Sequence, residues 1–212
     1  MTRPSPADQA LARLQEGNRN IARGRPTNPS LELDHLRTVA REGQEPFATV
    51  VGCSDSRCPV ELLFDAGVGD IFVIRVAGNI CSGDEIASVE YGVVYVKTPL
   101  VVVLGHRHCG AVTAAVEGEE ATGQIPELLM EIEPAVRKAH GEHPDASPAE
   151  LIDQAVRNNV WQAIENLFQG SRIIAAHVRD AKIKVVGAYF DLETGAVEWM
   201  GEHPQQAGLM MH

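Results

Sequence analysis

The chain has 212 residues, of which 44% are hydrophobic and 22% charged, and its formal net charge is −11. That length suits one α/β domain with a full core. The acidity argues against nucleic acid or an anionic membrane as partner, while leaving a small anionic substrate open. Four cysteines, Cys53, Cys58, Cys81 and Cys109, are too few for a disulfide scaffold in a chain this long. The opening MTRPSPADQALARL lacks the apolar centre of a signal peptide, and no apolar run approaches membrane-spanning length, so a cytoplasmic location is expected.

In chain order, Ala10, Leu11 and Leu14 predict an amphipathic helix from Asp8 toward Ile21, closed by the breaker cluster 24–29. A second helix follows, with Ser30 as cap and Leu31, Leu33, Leu36, Val39 and Ala40 as apolar positions. The run 47–51 is short, apolar and β-branched, as in a strand buried on both faces of a parallel sheet. Pro59 starts a helix carrying Leu62, Leu63 and Phe64. Strand 71–76 exits through Ala77-Gly78-Asn79, and a helix is expected over 85–97. Strand 100–104 repeats the design of 47–51 and leads to a helix from Ala111. A helix at 126–139 sits among acidic loops, and 149–178 reads as one long helix or two with Gly170 as the joint. Strand 182–190, a turn at 191–195 and a short strand 196–200 complete the chain.

The expected fold class is α/β: a mainly parallel central β-sheet flanked by helices, with an N-terminal helical arm and a short C-terminal edge strand. One domain over 1–212 is expected, divided into an arm (1–43), a core (44–200) and a tail (201–212). Because the core can close without them, residues 8–40 are expected to pack over a partner subunit.

Both buried runs end in glycine followed by chemistry. After Gly52 come Cys53, Asp55 and Arg57; after Gly105 come His106, His108 and Cys109. Open α/β sheets bind ligands at the carboxyl ends of their strands. Cys53, His106 and Cys109 form a two-thiolate, one-imidazole set that favours zinc and leaves a fourth tetrahedral position for water or substrate. The plainer readings are that each cysteine is a small buried hydrophobe, or that a closed structural zinc site recruits Asp55, Cys58 or His108. His108 reads as a surface or supporting group, Cys58 and Cys81 as packing residues, and His140, His143 and His212 as solvated. Asp55 either completes the metal's coordination or is held away from it by a bidentate Arg57 fork. A structural ion pair at a strand end is the bland alternative.

The stretches Cys53-Ser54-Asp55-Ser56-Arg57 and Gly105-His106-Arg107-His108-Cys109-Gly110 resemble those of the β-class carbonic anhydrases. The resemblance extends from Leu14–Asn18 through Phe64-Asp65, Ile71–Asn79 and Ser88–Tyr91 to Lys184–Asp191. It implies zinc as cofactor, held by Cys53, His106 and Cys109, with Asp55 and Arg57 as a catalytic dyad. It also implies reversible hydration of carbon dioxide to bicarbonate and a proton by zinc-bound hydroxide. A homodimer or higher homo-oligomer follows from it, with the active sites near the dimer interface. Gln44, Phe72 and Tyr91 match substrate-pocket positions of the plant-like, open-site subtype; Asp55 joins the metal only in a closed state. The other subtype carries tryptophan where this chain has Val50, and many bacterial relatives have glutamine where it has Ala66. Two alternatives stand beside this reading: hydrolysis of carbonyl sulfide or carbon disulfide at the same zinc site, and a zinc-binding regulator without turnover.

Overall fold

The computed structural model describes residues 3–27, 32–118 and 120–210. Its helices are α1 (Pro6–Ala22), α2 (Leu33–Glu42), α3 (Val60–Leu63), α4 (Gly83–Val94), α5 (Gly110–Glu117), α6 (Ile125–Glu142), α7 (Pro148–Gly170), α8 (Arg172–Arg179) and α9 (Gln206–Leu209). Its strands are β1 (Ala48–Cys53), β2 (Ile71–Val76), β3 (Leu100–His106), β4 (Lys184–Phe190) and β5 (Val197–Gly201). They form one sheet in the order β2-β1-β3-β4-β5. All neighbours are parallel except β4 and β5.

Every residue of β1 and β3 is buried, because helices cover both faces of these inner strands. Alternation splits their side chains between two layers. Val51, Val101 and Val103 pack with Val89, Val160, Ile164 and Ile174 from α4, α7 and α8. Val50, Val102 and Leu104 pack with Leu14, Val60, Leu63 and Phe64 from α1 and α3. The register sets Gly52 beside Leu104, so Cys53 and His106 leave the sheet at the same end.

Both strands run one residue beyond the expected glycine stops, to Cys53 and His106. Gly105 serves close packing instead of a turn: a Cβ there would meet Val160 Cγ2 at 2.7 Å, as one on Gly187 of β4 would meet Val160 Cγ1 at 2.9 Å, whereas one on Gly52 would make only an ordinary contact with Val60. Helix α4 begins at Gly83, where Ser82 and Glu85 close a capping box, and it ends three residues short of the expected 97. Gly170 is the joint between α7 and α8: Ser171 ends the first helix and its hydroxyl caps the second at Ile174 N. Helix α6 continues through His140, which is exposed. The short α9 falls in the expected tail.

The expected packing of 8–40 over a partner needs correction for α1. Leu14 is fully buried in this chain's own core, and Gly17 lies so close to α3 that a Cβ would sit 1.9 Å from the Phe64 carbonyl oxygen. Asn18 fastens the helix at both ends of the sequence. Its Nδ2 donates to the carbonyls of Leu63 (3.2 Å) and Gly195 (3.0 Å), and its Oδ1 accepts from Val197 N (2.8 Å). Only α2 keeps the character of an arm, with no buried residue and with Leu33 and Leu36 exposed. The proposed cap Ser30, and Leu31 and His212, lie outside the described residues.

Asn18→Ala strands two backbone carbonyls and one buried N–H at once, so it should lower unfolding free energy by roughly 3 kcal/mol. Urea denaturation of the purified protein measures this; a loss within experimental error of zero would show that α1 is not clamped through Asn18.

Candidate metal centre

Cys53 is the last residue of β1, His106 the last of β3, and Cys109 the cap preceding α5. Their ligand atoms lie within 4.8 Å of one another. The Cys53 and Cys109 sulfurs are 3.9 Å apart, close to the ~3.8 Å separation that two 2.3 Å zinc–sulfur bonds at the tetrahedral angle produce. His106 is 1% exposed. Its Nδ1 sits 2.9 Å from the Arg107 carbonyl, which can only accept, so Nδ1 carries a hydrogen and Nε2 is the nitrogen left to bind a metal once deprotonated. That Nε2 is buried without a hydrogen-bond partner. Two soft sulfurs facing an orphaned imidazole nitrogen fit zinc.

The backbone supports the thiolates. Cys53 Sγ accepts from Asp55 N (3.4 Å) and Gly78 N (3.3 Å), and Cys109 stands at the amino end of α5, where amides favour a thiolate. Beside Cys109, and despite burial, the Cys53 thiol is pushed down to about 4. The Cys109 thiol is pushed up, first by the adjoining Cys53 and then by burial. Burial opposes a charged His106, but the sulfurs of Cys53 and Cys58 outweigh it and raise the ring to about 10. A pocket that holds a proton this firmly among sulfurs suits a cation.

Asp55 and Arg57 form a two-pronged pair beside the ligands. Arg57 Nε donates to Oδ1 at 2.9 Å and Nη2 to Oδ2 at 2.6 Å, while Arg57 N also donates to Oδ1 at 2.9 Å. Hydrogen bonds from Arg57, against a smaller burial effect, hold the carboxyl far below the usual carboxylate range. Asp55 Oδ2 is 3.9 Å from His106 Nε2. Arg57 Nη2 also reaches the His108 carbonyl (3.0 Å), tying the ends of β1 and β3 together.

Against known proteins, the sequence model of the carbonic anhydrase family matches residues 48–197. The chain belongs to the carbonic anhydrase family. Carbonic anhydrase 2 of Mycobacterium tuberculosis strain H37Rv is 33% identical over 186 residues, covering 86% of this chain and 87% of that protein. The carbonic anhydrase of Mycolicibacterium smegmatis is 35% identical over 192 residues, covering 87% and 89%. Among solved structures, one of the tetrameric β-carbonic anhydrases of Sordaria macrospora superposes with a TM-score of 0.72 at 28% identity, covering 80% of this chain and 87% of that one. The β-carbonic anhydrase CafA of Aspergillus fumigatus shares the fold, with a TM-score of 0.75 at 24% identity over 96% and 95% of the two chains. As a β-class member the chain is a carbonate dehydratase with zinc as its cofactor.

Not all the site residues expected for a β-carbonic anhydrase meet in one chain. Gln44 is exposed and precedes β1, whereas Cys53 ends that strand. Phe72 pairs with Thr49 at the amino half of the sheet, four positions from the level where Val76 pairs with Cys53. At about 3.3 Å per residue this is roughly 13 Å. Tyr91 stays with Phe72, ring centroids 5.9 Å apart, and is 51% exposed. Within this chain, therefore, Gln44, Phe72 and Tyr91 do not line the cleft of Cys53: Gln44 precedes β1, Phe72 lies near the start of β2, and Tyr91 on α4 stays beside Phe72.

The other candidates lie where their chemistry suggests. Cys58 and Cys81 are buried, and burial pushes the Cys81 thiol up to about 12. His108 is exposed in a left-handed conformation (φ 55°), its Nε2 3.7 Å from Glu193. Sequence reasoning missed Arg75. Its Nε donates to the Cys53 carbonyl (3.0 Å) and its Nη2 to the Asp55 carbonyl (2.7 Å), so it braces the loop that carries the dyad. The signal was present: an arginine inside the apolar strand Ile71–Val76.

The Cys109 thiol and the His106 ring are held toward their protonated forms, while Cys53 is held toward its thiolate. Zinc must displace the protons of the first two, so binding releases about two protons and tightens as pH rises. Titration calorimetry in buffers of different ionisation enthalpy measures the number; no proton release would contradict the assignment. Cys53→Ser and Cys109→Ser should each lose bound zinc.

Proposed function

We propose that this chain hydrates carbon dioxide reversibly to bicarbonate and a proton at a site in which Cys53, His106 and Cys109 hold zinc and Asp55 and Arg57 direct the reaction. The convergence of two sulfurs on the unpartnered Nε2 of His106 carries this reading. When bound, zinc lowers the pKa of a water toward ~7 and so supplies the nucleophile.

The chain's own residues do the rest. Asp55, ionised by Arg57, can only accept hydrogen bonds. It would therefore accept a hydrogen bond from the O–H of the attacking oxygen and so turn that oxygen's lone pair toward the carbon. Arg57 spends three of its contacts on Asp55 and a fourth on the His108 carbonyl, so the carboxylate is oriented before substrate arrives. In this reading the site is the plant-like open one, supported by the fork that directs Asp55 to Arg57. Two thiolates donate more charge than neutral ligands, which suits activity at mildly alkaline pH.

The pocket wall comes from a second copy in this reading. Strand β2 is an edge strand, and beside it Phe72, Tyr91 and Tyr95 form an aromatic row, with Tyr91 and Tyr95 stacked at 5.3 Å and exposed. A homo-oligomer that brings this face against another subunit's cleft would give Phe72 and Tyr91 their apolar lining role and Gln44 an amide contact to substrate oxygen. Tetrameric Sordaria macrospora relatives support such assembly. No helix among the described residues is long and apolar enough to cross a membrane. Relatives named carbonic anhydrase favour carbon dioxide over carbonyl sulfide or carbon disulfide as substrate.

Stopped-flow hydration with metal analysis tests the proposal: the zinc-loaded protein should turn over carbon dioxide, and a zinc-replete protein without hydration activity would contradict it. Asp55→Ala should keep zinc and lose on the order of 100-fold in turnover. Arg57→Ala should also keep zinc yet lose most activity, with partial recovery as pH rises, because the freed carboxylate competes for the open position. Full activity in Arg57→Ala would remove the dyad from the mechanism.

A further inference from the structure

Asn159 breaks the apolar face of α7. It is 1% exposed between Val156 and Val160, where an aliphatic side chain would fill the same space without a polar cost. Its Nδ2 donates to the Gly78 carbonyl at 2.6 Å across 81 residues of sequence, while its Oδ1 is buried without a partner. An amide kept in a core with half of its polar atoms unsatisfied is there for the bond that it does make.

That bond holds an unusual piece of backbone. Gly78 and Asn79 both have positive φ, 73° and 44°. At φ 73° any side chain on Gly78 would be strained, and its Cβ would also lie 2.6 Å from Ile132 Cδ1, so the position favours glycine. In this conformation Gly78 directs its N–H at Cys53 Sγ (3.3 Å) and its carbonyl at Asn159. Glycine takes this conformation freely, so only Asn79 carries its cost, and neighbours must hold the pair in place.

Resting on the assignment of Cys53 as a zinc ligand, the geometry points to Asn159 as a positioning residue for the metal centre, one that clamps the Gly78 carbonyl and so keeps the Gly78 N–H on the Cys53 thiolate. The contact moderates the charge which that sulfur donates, as outer hydrogen bonds do for metal ligands generally. Asn159 does not meet substrate; it acts through the Gly78 backbone.

The test uses the cobalt-substituted holoenzyme, whose thiolate-to-metal charge-transfer band reports sulfur donor strength. Asn159→Leu, which keeps volume, and Asn159→Ser, which keeps polarity but loses reach, should both move the band to lower energy. Both should release zinc to a chelator about 10- to 100-fold more readily. Val160→Ala weakens the same helix without touching Gly78 and should leave the band in place. In the unmodified cadmium-113 protein, the Gly78 amide proton should show scalar coupling to the metal through the sulfur, a reading that requires no variant. An unmoved band in both Asn159 variants, an equal shift in Val160→Ala, or absence of the Gly78 coupling would each overturn the proposal. A cobalt protein with no thiolate band at all would instead remove the ligand assignment beneath it.

Discussion

The centre depends on the parallel pairing of β1 with β3. Both strands are buried along their whole length, and a one-residue slip of either would send its side chains to the wrong layer. The hydrophobic packing that forbids the slip also brings Cys53 and His106 out at one end of the sheet. Ligand geometry is thus secured by valines several residues away, and the ligands themselves carry little of the folding energy. Helix α7 packs over the neighbouring β3–β4 pair through its contacts at Gly105 and Gly187, where no Cβ would fit without displacement.

Around this frame the polar groups are arranged by charge. The thiolates receive backbone N–H groups and Asp55 receives the Arg57 fork, while Arg75 fixes the carbonyls of the connecting loop. Each negative group has donors already aimed at it, so little reorganisation is needed when charge moves during reaction. In the proposed open site the fork would keep this carboxylate, 3.9 Å from His106 Nε2, off a metal that would attract it. The restraint is as local as it is strong, since Arg57 is itself exposed and reaches Asp55 over only two residues.

The sheet was legible because its inner strands are continuous β-branched runs, and the ligand set because thiol and imidazole follow such runs at their glycine-marked ends. Other features depended on contacts that linear patterning does not carry. Leu14 and Asn18 belong to the chain's own core, yet their helix reads as amphipathic whether its partner is this sheet or another subunit. Gly105 looks like a strand stop until Val160 is placed above it. Asn159 looks like a polar interruption until Gly78, 81 residues earlier, is placed beneath it. Gln44, Phe72 and Tyr91 could be named from the family resemblance, but that resemblance is silent on which copy's cleft they face; their places before β1, near the start of β2 and on α4 separate them from Cys53 within one chain.

The central claim is an open metal site governed by Arg57. A crystal structure of the zinc-loaded protein at about pH 7 tests it most directly. The account predicts zinc on Cys53, His106 and Cys109, a non-protein fourth ligand, and Asp55 still forked to Arg57. Asp55 bound to zinc in that crystal, with Arg57 released, would contradict it.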